Sequence, residues 1–139
     1  MTAPFRVYLA GSSLEIERVE RWRDQLRGAG IDVVSTWTDS VRQVGESNPR
    51  SASQPERWGW AMTCVNQVRR ADLAWILVPP VTAPTRGAWC ELMVAAIGGH
   101  ELGPICSGDT LQTTFCALGD EYATDEEAFT AILAIAGAR

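Results

Sequence analysis

Residues 85–92, TRGAWCEL, carry a single carboxylate, Glu91, among small and apolar neighbours. A Pro/Thr/Gly turn precedes it and the apolar run LMVAAIGG follows, so the acid is expected about one turn into a helix. Backbone N–H groups at a helix start carry partial positive charge and favour anions, a field that should keep Glu91 ionised. Facing a cleft, such a carboxylate is a base, a nucleophile or simply a solvated charge. Gly87, Ala88 and Cys90 are small enough to let a ligand approach, while Trp89, Leu92, Val94 and Ala96 supply a packing face.

The rest of the composition narrows the chemistry. The chain has 139 residues, 46% of them hydrophobic and 21% charged, the balance of one ordinary globular domain spanning 1–139. Net charge is −5 and all twelve basic residues are Arg, with Arg69-Arg70 the only adjacent pair. That is too little for a phosphate-backbone footprint, so a long nucleic acid is excluded as partner while a mononucleotide is allowed. The four cysteines show no CxxC pairing and the single histidine, His100, completes no zinc-type ligand set, so no metal is expected. No leader pattern and no apolar run of about 18 residues occurs, which points to a cytoplasmic protein with reduced thiols and no membrane contact.

Five apolar runs alternate with helical patterns. FRVYLA (5–10), IDVVSTW (31–37), LAWILV (73–78) and GPICS (103–107) read as strands, and FCAL (115–118) as a weaker fifth. Ile16, Val19, Trp22, Leu26 and Ala29 give the first helix, and Trp58, Ala61, Met62, Val65 and Val68 the second. The Glu91 helix stops at Gly98-Gly99, and a last helix runs from Asp125 to Ala136. Residues 39–56 are polar and aperiodic, which suggests a binding loop or lid. The alternation predicts an α/β fold, a doubly wound, flavodoxin- or Rossmann-like parallel sheet of about five strands with helices on both faces. Its ligands should bind beyond the carboxyl ends of the strands. Gly11-Ser12-Ser13, the 37–56 region and Thr85-Arg86-Gly87 would converge there, each with donors to offer.

Taken in order, VYLAGSS, ADLAWILV and TRGAWCELMVAA resemble the nucleoside 2-deoxyribosyltransferase-like family, including its nucleotide N-hydrolase branch, over roughly residues 5–130. The resemblance implies that Glu91 attacks the anomeric carbon of a (deoxy)ribosyl ring, expels the base and forms a covalent glycosyl-enzyme, following retaining glycosidase logic. Tyr8 matches the strand tyrosine that orients the nucleophile; the alternative is a core aromatic. Thr85 and Gly87 match the Ser/Thr and Gly that contact a 5′-phosphate, and with Gly11, Ser12 and Ser13 they suggest a phosphate-tolerant pocket. Thr85 could equally be the helix N-cap.

The sequence departs from the family pattern at Cys64, where family members carry the aspartate that handles the nucleobase proton. Asp39 or Glu56 are the candidate replacements. Trp37 either stacks on a base or fills the core, and Arg86 pairs with phosphate or with solvent. Asp72 reads as a structural residue, His100 as a solvated cation at a helix end, and Cys90 as a core filler. Trp22, Trp58, Trp75 and Trp89 mostly fall at core-facing spacing. The resemblance further implies no cofactor and a homodimer or larger homo-oligomer whose neighbouring subunit completes the pocket. The rival reading is a catalytically silent nucleotide-binding module.

Overall fold

The fold was obtained as a computed structural model; it describes residues 2–44, 50–83 and 85–139. Five strands, β1 (Arg6–Ala10), β2 (Asp32–Val33), β3 (Leu73–Leu77), β4 (Ile105–Ser107) and β5 (Asp120–Tyr122), form one all-parallel sheet. The order is β2-β1-β3-β4-β5, the flavodoxin-type order, so chain direction across the sheet reverses between β1 and β3. Tyr8 pairs with Ala74 and Ala10 with Ile76 across that reversal.

The alternation of side chains along each strand sorts the core into two layers. Val7, Leu9, Leu73, Trp75, Leu77 and Ile105 point to one face, where α1 (Ile16–Gly28) and α5 (Asp125–Gly137) cover them with Val19, Trp22, Leu26, Ala128 and Ile132. Tyr8, Ala10, Ala74, Ile76 and Cys106 point to the other, under α3 (Gln54–Arg70) and α4 (Gly87–Ile97). β3 is buried at every position, as a central strand covered on both sides must be.

Three expectations change. FCAL is not a strand: Thr114–Leu118 is a 3-10 helix whose Cys116 plugs the α4-side layer, and the fifth strand is the polar Asp120–Tyr122 beyond it. As an edge strand β5 has no need of apolar side chains on both faces. The polar region 39–56 is not one long loop, because α2 (Trp37–Val44) occupies its start and α3 begins at Gln54; residues 45–49 lie outside the described residues. α2 forms because its first turn is anchored by Trp37 and Thr36, the latter clamped to the buried Gln67 of α3. The first turns of α3 are also more exposed than their spacing predicts: Trp58 is 62% and Trp60 42% exposed.

Candidate functional site

Glu91 is the fifth residue of α4, the helix that follows the central strand β3, and α4 packs its Ala88, Leu92 and Ala95 onto the sheet. That packing turns Glu91 toward Tyr8, which rises from β1 on the same face. Tyr8 is fully buried, and neither its hydroxyl nor Glu91 Oε2 completes a hydrogen bond to any protein group. The third member is Cys64 of α3, half-buried against the same layer. Phenol, thiol and carboxyl lie close enough to alter one another's proton affinity without forming an aligned hydrogen bond.

The expectation that helix polarity keeps Glu91 ionised is overturned. Burial pushes its carboxyl up to about 7, and the neighbouring Tyr8 hydroxyl only partly offsets this. The helix field fades beyond the first turn, whereas desolvation acts in full on a buried oxygen. Burial, then the Glu91 charge, raises Tyr8, and the same two causes raise Cys64. All three groups therefore favour their neutral forms.

The first turn of α4 borders this cluster. Gly87 is exposed, and a Cβ there would sit 3.6 Å from Glu91 Oε1 and 4.0 Å from Thr85 Oγ1, so the two oxygens converge over the glycine. Thr85 is half-buried and is not the N-cap; that position falls to the exposed Arg86, whose side chain makes no capping bond. The first N–H groups of α4 are left without a side-chain cap, a polarity suited to an anion.

The other sequence-derived residues are placed as follows. Ser12 is buried and its hydroxyl caps the short 3-10 turn 13–15 by accepting from the Leu14 N–H; Ser13 is exposed. Gly11 is explained by packing, since a Cβ there would meet Val19 Cγ2 at 2.9 Å. Trp37 packs against both core layers and donates its indole N–H to the Leu9 carbonyl at 2.8 Å, the geometry of a core tryptophan. Asp39 is turned away from Glu91, with a carboxyl oxygen 3.6 Å from Arg23 of α1, and Glu56 is engaged with Ser53 at the start of α3. Asp72 closes the opposite end of the sheet by accepting from the Arg6 backbone and guanidinium. His100 is packed rather than solvated: Nε2 lies 2.8 Å from the Val68 carbonyl and Nδ1 is buried. Cys90 is exposed rather than a core filler, because it faces away from the sheet one position before Glu91.

Arg18 escaped the sequence reading. It forms a two-pronged pair with Asp125 at 2.8 Å for each contact, and also reaches the Val78 carbonyl and Glu15. Asp125 additionally accepts from Trp22 and from Ser107, whose hydroxyl accepts from Trp75. The network fixes the carboxyl ends of β3 and β4. Its only sequence signal was an Arg on the polar side of an amphipathic helix, which is where solvated arginines also fall.

Two concavities open elsewhere, one at the amino edge of the sheet around Phe5, Arg6 and Asp72, the other on α3 around Asn66, Arg69 and Arg70; Glu91 borders neither. Among the described residues no His/Cys/Asp/Glu group could hold a metal ion, and no helix is long and apolar enough to cross a membrane.

No known protein-family profile matches the sequence, and no curated protein matches it. Among solved structures, the fold is similar to that of the CMP N-glycosidase BcmB of Clostridium botulinum, with a TM-score of 0.51 and 14% identity over 91% of this chain and 97% of the other. At that identity the likeness identifies the architecture: this chain is an α/β protein with the five-stranded parallel sheet of a Rossmann-like fold.

Proposed function

We propose that the protein cleaves or exchanges the N-glycosidic bond of a (deoxy)nucleoside or nucleoside 5′-monophosphate, with Glu91 as the nucleophile. The observation that carries this reading is the pair of buried, unpaired oxygens on Glu91 and Tyr8 where the sheet reverses direction. A fold loses stability by leaving such atoms without partners, so their retention argues for a ligand that completes them. The fold likeness to an enzyme named for CMP N-glycosidase activity supports the same reaction class.

In this reading the ionised Glu91 attacks the anomeric carbon through Oε1 as the base departs, giving a glycosyl ester, and water or a second base then takes the sugar. Tyr8 orients the carboxylate. Thr85, Gly87, Arg86 and the uncapped start of α4 receive the phosphate. Ser13, exposed just beyond β1, borders the sugar from that side. Trp37 has no part in it, because its indole is committed to the Leu9 carbonyl, and Asp39 is drawn to Arg23 of α1 instead.

The test is mass spectrometry after exposure to a panel of nucleosides and their 5′-monophosphates, with chromatography for free base. A pentose-sized adduct that Glu91→Ala cannot form is expected, together with base release reduced at least about 10³-fold in that variant. Absence of both adduct and base across the panel would refute the reading. Cys64, standing where an acid would help the base depart, favours one alternative, a silent nucleotide-binding module. Calorimetric binding without release from any substrate would establish it.

A further inference from the structure

A neutral nucleobase leaves as an anion unless it receives a proton, so a glycosidase for such bases needs an acid beside its nucleophile. Around Glu91 the described protein groups offer only the Tyr8 phenol and the Cys64 thiol, both held more firmly protonated than usual by burial. Of the described carboxyls, Asp39 lies 3.6 Å from Arg23, Glu56 accepts from Ser53, and Glu15 and Asp125 pair with Arg18. Glu91 cannot serve as acid and nucleophile in the same step.

A second observation concerns charge. None of the ion pairs among the described residues includes Glu91, yet its Oε2 is buried. A buried carboxylate without a counter-charge is costly in any fold. A cationic ligand in front of it would supply that counter-charge and would itself draw the proton off Glu91.

Resting on the base-cleaving reading above, we propose that the site takes N-glycosyl cations, pyridinium or N-alkylated purine ribosides and their 5′-monophosphates, whose base departs without receiving a proton. A Glu91 oxygen forms a bond to the anomeric carbon as the carbon–nitrogen bond breaks. The electron pair passes to the ring nitrogen, which loses its positive charge, and the base leaves neutral. Water then attacks the anomeric carbon, the ester bond returns its electron pair to Glu91, and one proton is released to solvent.

The experiment compares four 5′-monophosphates on the full chain at pH 8: CMP, GMP, N7-methyl-AMP and nicotinamide mononucleotide. Free base is read by chromatography. Expected is a kcat/KM for the two cationic substrates at least about 100-fold above that for CMP and GMP, the lower range of what acid assistance contributes. Cys64→Asp should narrow that ratio at least tenfold by speeding CMP and GMP. The comparison within the unaltered chain decides the matter even if this variant folds poorly. CMP and GMP cleaved as fast as the cationic pair would overturn the cation proposal and leave the base-cleaving reading standing. No base from any of the four, with a melting-temperature shift confirming that they bind, would overturn both.

Discussion

Glu91 links the stability of the protein to the chemistry of its site. Its carboxyl stands near 7 in the folded chain against an ordinary value of 4.5, so between those values the unfolded chain is ionised while the folded one keeps its proton. Stability is therefore full below about 4.5, falls as pH rises toward 7, and is level beyond, a loss on the order of 3 kcal/mol. Glu91→Gln removes that slope: urea unfolding should find it more stable than the parent at pH 8, with the gap closing by pH 5. An unchanged gap at both pH values would show that Glu91 is not desolvated. Base release should rise with pH through about 7, since the nucleophile must be ionised. Tyr8→Phe deletes a buried hydroxyl that has no partner, so it should leave stability unchanged or raise it by about 1 kcal/mol. Because the phenol favours the ionised carboxyl, the same variant should move the rise in base release to higher pH. A marked drop in melting temperature would mean that the hydroxyl is paired after all.

The first turn of α4 is where element and function meet. Gly87 has no positive φ, so alanine is allowed there and should raise stability by about 0.4–1 kcal/mol through the unfolded chain. Its methyl would nonetheless stand between Glu91 Oε1 and Thr85 Oγ1. Gly87→Ala is therefore expected to raise KM for 5′-monophosphates several-fold while the melting temperature holds or climbs; an unaltered KM would take the phosphate away from this turn. Elements built from long apolar runs were legible in the sequence, with β1 and β3 found within a residue of their expected bounds. Edge and polar elements were not. β5 is Asp-Glu-Tyr, held by its parallel pairing to β4, and no period-2 pattern marks it. α2 begins with Trp37, whose place is fixed by contacts to Leu9 on another strand.

Across the whole molecule, the carboxyl edge of the sheet depends on Arg18 and Asp125. Burial alone would raise the Asp125 carboxyl, but the hydrogen bonds from Arg18, Ser107 and Trp22 outweigh it and hold the group below its ordinary 3.8. The stability it contributes is present above that value and lost as pH falls beneath it. Asp125→Asn strips a partly buried arginine of its two-pronged partner and should cost about 2–3 kcal/mol, less than for a fully buried pair because Arg18 keeps some solvent contact. Chemical denaturation at pH 7 measures it; a loss under 0.5 kcal/mol, well short of the pair cost, would mean that the pair is no stronger than a surface one.

The sequence by itself determined the alternation of strands and helices, the parallel sheet that such alternation requires, and Glu91 on a helix start behind a small-residue turn. These follow from local periodicity and turn chemistry, which neighbouring residues encode. The family resemblance implied that Tyr8 and Cys64 stand beside Glu91; only the tertiary structure decided that Asp39 turns to Arg23 and that the carboxyl is desolvated enough to be half-protonated near neutral pH. Proton affinity and pairing are set by which groups from distant segments share a low-dielectric space, and a one-dimensional pattern does not carry that distance.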